Sequence, residues 1–277
     1  MLQQVGGQAS AVQMMKWAFL LSQETASGGG KTFYQFVPHN FGPHSFTLNH
    51  ETNTLVRNSF VEKSGEKRWK LTCLGQKNLV NLPQPIIQDI ATVINQYGKL
   101  PDSDLIDVVR TRYPWFTAGS DSLENRERQR SVADKAIYTA GYEGKTVDEF
   151  LKLLLRAGVC RLIDVRYNPI SRRYGFHKST LKRLCSSLKI DYQHLPGLGI
   201  SGSARSDLKS MDSYKELFKE YRCRLPNNQD DLYRIANLLK SEPSVLVCME
   251  ANPECCHRNV LAHYLMGILE LPVKHLG

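Results

Sequence analysis
Two strand-like runs in this chain end on carboxylates. In LIDVR, Asp164 and Arg166 stand two residues apart, and in VLVCME so do Cys248 and Glu250. Residues at i and i+2 share one face of a strand, so each run can present its pair to one crevice. Tyr138 in a third run and His194 in a fourth are placed to join them. An acid beside a cation and an imidazole suits hydrolysis of an N-glycosidic bond. One carboxylate stabilises the oxocarbenium-like sugar or orients water, while another polar group assists the departing base. Asp164 or Glu250 would take the first role, Arg166 with His194 the second. A strand-end carboxylate can equally cap the next helix or pair with a nearby arginine.

Spacing excludes several other chemistries. Asn252 stands where a phosphatase loop ending at Arg258 needs its cysteine, and GxxxxGK[ST] does not occur. Glu254-Cys255-Cys256-His257 falls where a helix begins, not in the glycine-containing loop of a sulfur-transfer enzyme. A helix N-terminus lowers a thiol's pKa, but a buried thiol packing helix onto sheet is the expectation for Cys256. Zinc would have to draw on Cys248, Cys255, Cys256 and His257. Adjacent ligands on one helix turn diverge and no second paired motif follows, so the expectation is no metal and no cofactor. A metal-dependent nuclease is left with few acids near the basic stretch.

That basic stretch is pronounced. The 277 residues carry a formal net charge of +9, with 14 basic against 12 acidic side chains in residues 1–134 and 22 against 15 in residues 135–277. From Arg156 to Lys189 nine basic residues face one acid, Asp164. Such a density neutralises phosphates and releases their counterions, the usual source of nucleic-acid affinity; a solvated basic face is the plainer alternative. Arg172, Arg173, Lys178, Lys182 and Arg183 would grip phosphates. An enzyme acting on a base within a duplex must turn it out into a pocket with aromatic walls. Tyr138, Tyr142 and Tyr167 are assigned to that pocket, with Cys256, His257 and Arg258; Tyr174 and Phe176 lie nearby.

The elements that must position these residues follow from patterning. From Ala136 onward, apolar runs (AIYTAGY, CRLIDVR, SVLVCME) alternate with helical segments, and Thr146-x-x-Glu149 is a capping box opening VDEFLKLLLRAG. IDYQHLP and PVKHL complete the strands. Continuous Val, Ile and Leu in strands separated by helices predict an α/β domain, a mostly parallel Rossmann-like sheet covered on both faces. In such sheets ligands bind outside the carboxyl ends of the strands.

Four blocks, YTAGYEGKTVDEFL, LIDVRYNPISRRYGF, YQHLPGLG and VCMEANPECCHR, occur in the order and spacing of the bacterial domain family DUF488, which residues 136–277 resemble. The resemblance implies a Rossmann-like sheet and marks Asp164, Arg166, Pro169, Arg172, His194, Glu250, Cys256, His257 and Arg258 as motif positions. It supplies no reaction.

The first half reads differently. SAVQMMKWAFLLSQ predicts a helix after a Ser10 cap. A turn at residues 40–43, a helix from about Ser45 to Asn58, a return strand and a strand in WKLTCLGQ follow. Helix, turn, helix and ribbon fit a winged helix. YQFVPHNFGPHSFTL with the later LT-x-x-G resembles the winged-helix-like segment of small prokaryotic regulators and antitoxins. His44, Ser45 and Asn49, where the second helix opens, would then contact DNA. Two more helices fall in residues 85–112, and polar SDSLENRERQRSVADK suggests a linker.

The expected organisation is a winged-helix-like, mainly helical DNA-binding domain over 1–118, a linker over 119–134 and an α/β catalytic domain over 135–277. Composition, at 42% hydrophobic and 23% charged, is that of an ordinary globular protein. No run approaches the roughly 20 apolar residues of a membrane helix, MLQQVGGQAS lacks the regions of a signal peptide, and the seven cysteines form no CxxC pair. The expectation is a cytoplasmic protein with free thiols and no membrane partner. The function expected is a DNA glycosylase-like hydrolase on double-stranded DNA, with modified phage DNA a suitable substrate in antiviral defence. A ligand-sensing transcriptional regulator and a metal-dependent nuclease are the alternatives.

Overall fold
The chain folds into two compact units, Met1–Gln129 and Arg130–Gly277, in a computed structural model describing residues 1–65, 68–117, 132–205 and 210–277. The expected linker, 119–134, lies almost wholly outside the described residues.

In the first unit, β1 (Gln8–Ser10) runs straight into α1 (Ala11–Glu24). Ser10 accepts from the Gln13 amide and the Gln13 side chain accepts from the Ser10 amide, both at 2.9 Å, a reciprocal cap that starts the helix where the sequence predicts it. Met15 to Leu21 are buried without interruption, so α1 is the central helix of this unit. A short hairpin, β2 (Val37–His39) and β3 (Gly42–His44), precedes α2 (Phe46–Arg57). Then come β4 (Val61–Ser64), β5 (Arg68–Leu71) and α3 (Cys73–Lys77). The strand expected in WKLTCLGQ stops at Leu71, because the Thr72 hydroxyl accepts from the Gly75 amide at 3.0 Å and begins a helix instead. Strands β1, β5 and β4 form an antiparallel sheet in that order. Helices α4 (Gln84–Tyr97) and α5 (Asp102–Arg112) complete the core around Trp17, Phe19 and Leu20.

The second unit alternates β6 (Ile137–Gly141), α6 (Val147–Ala157), β7 (Arg161–Asp164), α7 (Lys178–Ser187), β8 (Asp191–His194), α8 (Met211–Arg224), α9 (Gln229–Ser241), β9 (Ser244–Cys248), α10 (His257–Leu269) and β10 (Val273–Leu276). The sheet order is β10-β6-β9-β7-β8 and each pairing is parallel. It is the α/β fold read from the sequence: β6 and β9 are buried at each position, as strands covered on both faces must be. The Thr146–Glu149 capping box starts α6, and Gly158 in the left-handed region ends it.

This order decides where a ligand can sit. From β7 the chain moves outward to β8, whereas from neighbouring β9 it moves the other way, past β6, to β10. Adjacent strands whose connections leave in opposite directions make a topological switch point, and binding crevices open at the carboxyl ends of such pairs. Asp164 ends β7 and Cys248 ends β9.

Candidate functional site
Asp164 and Arg166 do meet, but as structure. The Arg166 guanidinium donates to both carboxylate oxygens of Asp164, at 2.8 and 2.5 Å, and Tyr192 Oη donates to the second at 2.6 Å. Asp164 is fully buried and Arg166 nearly so. The remaining Arg166 donors go to Tyr142 Oη at 3.0 Å and the Phe176 carbonyl at 2.9 Å. Burial alone would weaken the Arg166 charge, but the hydrogen bonds and charge of Asp164 hold it firmly cationic. Burial and Asp164 together push the Tyr192 phenol far up. Neither the catalytic role expected of Asp164 nor the leaving-group role of Arg166 survives, since both side chains are saturated by each other and by their neighbours. Their work is to tie the loops after β6 and β7 to the sheet.

Glu250 differs. It follows β9 by two residues and remains only partly buried. Its carboxylate accepts from Cys248 Sγ and Cys256 Sγ, each at 3.0 Å. The loop carrying it is pinned by its backbone. Arg258 donates to the carbonyls of Glu250 and Ala251, Glu143 accepts from the Ala251 amide at 2.9 Å, and Gly141 passes beneath. A Cβ on Gly141 would lie 1.9 Å from the Glu250 carbonyl oxygen, so only glycine fits there.

Below Glu250 lie Cys248, Cys256 and His257, all buried, with donor atoms within 4.8 Å of one another. His257 Nδ1 is 3.7 Å from Cys248 Sγ and 3.9 Å from Cys256 Sγ, and its Nε2 donates to the Val165 carbonyl at 2.9 Å. The hydrogen bond from Cys256 and the neighbouring imidazole draw the Cys248 thiol well below the usual range, while burial drives Cys256 up. Divergence of adjacent side chains, expected from the sequence, does not occur. Cys256 is the extended residue preceding α10, at φ −135° and ψ 133°, and only His257 is helical.

The substrate-binding roles expected of Cys256, His257 and Arg258 are corrected by their burial at 1% exposure or less. Tyr138 faces the wrong way: its hydroxyl reaches back to the Asp134 carbonyl, toward the amino end of β6. Tyr142 is buried, stacked on Phe176 at 4.1 Å, and offers no free face. Tyr167 is 55% exposed and can receive a ring. His194, at the end of β8, holds the Arg166 carbonyl through Nε2 and Lys178 Nζ through Nδ1, each at 2.9 Å. It bridges the β7 loop to α7 rather than standing free. Arg172, Arg173, Lys178, Lys182 and Arg183 are exposed, and Arg173 lies over the Phe176 ring.

In the first unit, Ser45 is fully buried and caps α2 through the Leu48 amide at 3.2 Å. His44 packs on His39 and Phe46; burial, with the charges of His39 and Lys16, holds its pKa down to about 3, so it carries no charge for a phosphate. Both DNA contacts assigned to them are therefore corrected. Asn49 is exposed on α2.

Tyr192 was missed by sequence reasoning although it shares a strand face with His194, the period-2 signal that could have found it. The cysteine–histidine cluster was set aside in the sequence reading because its convergence depends on the backbone angles of Cys256.

Residues 146–265 match the model of the family described as domain of unknown function DUF488. The matched span lies wholly within the second unit. The match begins at Thr146, the cap of α6, and ends within α10, so β7, β8, β9 and the loops bearing Asp164, His194 and Glu250 lie in the part similar to DUF488. It does not reach the first unit, whose winged-helix resemblance it leaves aside. No curated protein and no solved structure matches the chain.

Proposed function
We propose that this protein is a DNA-binding hydrolase that removes a base by cleaving its N-glycosidic bond, with Glu250 as the working carboxylate. The observation that carries this reading is the contrast between two strand-end acids: Asp164 is sealed in an ion pair, whereas Glu250 stays partly exposed beside the β7–β9 switch point. A single carboxylate suffices to stabilise an oxocarbenium-like sugar or to orient water. Exposed Tyr167 and the cationic row from Arg172 to Arg183 follow β7. They supply a stacking surface for an everted base and contacts for its flanking phosphates.

The first unit supports a DNA-reading module. Its β1-β5-β4 sheet, with α2 directly ahead of the β4–β5 ribbon, has the connectivity that places one helix in the major groove and the ribbon on the backbone. Asn49 on α2 is then a base-contacting candidate.

Incubation with duplexes carrying modified and unmodified bases, followed by alkali, tests the reading. Released base and alkali-labile abasic sites are expected with the native protein and lost with Glu250→Gln. Absence of both with each DNA offered would overturn it. Direct strand breaks without alkali would identify a nuclease, and a ligand-dependent change in DNA affinity without chemistry would identify a regulator.

A further inference from the structure
We propose that Cys248, Cys256 and His257 form a zinc site whose fourth coordination position faces Glu250. Two parts of the fold deliver the donors: Cys248 ends β9, while Cys256 immediately precedes α10 and His257 is its first residue. A tetrahedral zinc ion with Zn–S of about 2.3 Å and Zn–N of about 2.0 Å separates its ligand atoms by roughly 3.5–3.8 Å. The two sulfur-to-Nδ1 distances here are 3.7 and 3.9 Å, so the donors need draw in by only a few tenths of an ångström to reach that spacing. The imidazole is oriented as a ligand must be. Nε2 donates to the Val165 carbonyl at 2.9 Å, which leaves the neutral ring's lone pair on Nδ1, toward the sulfurs. Two thiolates with one imidazole favour zinc over magnesium or calcium, which prefer oxygen.

Glu250 sits on the remaining side. Its Oε2 lies 3.0 Å from both sulfurs. A site with three protein donors keeps one position for water. That water would lie beside Glu250 and be the one the carboxylate orients. This last link rests on the proposed function; the metal site does not.

The experiment uses the full chain, reduced and stripped of metal, titrated with cobalt and then zinc. The native protein should bind a single equivalent of cobalt with intense thiolate-to-metal charge-transfer absorption and the ligand-field bands of tetrahedral coordination, both bleached by zinc. Cys248→Ser with Cys256→Ser should lose these signals, and Glu250→Gln should keep the stoichiometry. A native spectrum without thiolate charge transfer overturns the site, whether or not the serine variants fold, and so does a signal that persists in a folded double variant. Metal binding without base release would reject the glycosidic reading and leave the site standing. Base release by metal-free protein would uphold that reading and reject the metal-bound water.

Discussion
At the end of β7 the Asp164 carboxylate receives the Arg166 side chain on two oxygens and the Tyr192 hydroxyl on one, with no solvent contact. Removing one side of such a pair leaves an uncompensated buried charge and costs about 3–5 kcal/mol. We expect Asp164→Asn to lower the unfolding free energy, read from denaturant titration, by an amount in that range, and Tyr192→Phe by about 1–3 kcal/mol, the cost of an unsatisfied buried partner. Glu250→Gln, at a partly exposed site, should leave the unfolding free energy within about 0.5 kcal/mol while removing base release. Similar unfolding losses in the Asp164 and Glu250 variants would contradict the distinction. The sequence made both acids visible, since both end apolar runs, but not which would be consumed by its neighbours. Arg166 stands two residues after Asp164 in the same motif, and nothing local shows that its fork turns back on that acid rather than toward a ligand.

Elements were more legible than side-chain partners. Ser10 and Thr146, each followed three residues later by Gln or Glu, mark helix starts through reciprocal hydrogen bonds confined to four residues. Such signals are readable because the interacting groups are neighbours in sequence. The strand order β10-β6-β9-β7-β8 was not, because it arises from packing between segments about a hundred residues apart, as in the β6–β9 register of Ile137 with Ser244. Glycine links the two levels. Gly141→Ala would drive a Cβ into the Glu250 carbonyl, so we expect it to displace the loop and reduce base release more than it reduces thermal stability. Thr146→Ala, which removes only a cap, should cost about 1 kcal/mol in unfolding free energy with turnover retained. In the first unit, α1 carries Lys16 to the interior, where Nζ donates to the Phe41 and Pro43 carbonyls, and burial lowers its pKa to about 7. The unfolded chain keeps that proton up to about pH 10.4, so between these values the unfolded state binds more protons and stability rises with pH. The unfolding temperature of the native chain should climb across this window relative to Lys16→Met; parallel curves would show that Lys16 is charged when folded.

Over the whole molecule, charge is the property with a measurable reach. Five basic side chains from Arg172 to Arg183 are exposed on or before α7. Deleting one cation that neutralises a phosphate should shrink the slope of log K against log salt by about 0.9. Arg172→Ala and Lys178→Ala together should therefore flatten it by nearly two, with little change in preference among duplex sequences. A slope unchanged by the pair would place DNA elsewhere. The two outer strands of the five-stranded sheet have a different consequence. An edge strand offers unpaired amides to any other chain, and charged side chains discourage that pairing. Here β10 carries Lys274, and β8 carries Asp191. Copies of this protein crowded together are thereby discouraged from joining edge to edge into a continuous ribbon, and each sheet ends within its own molecule.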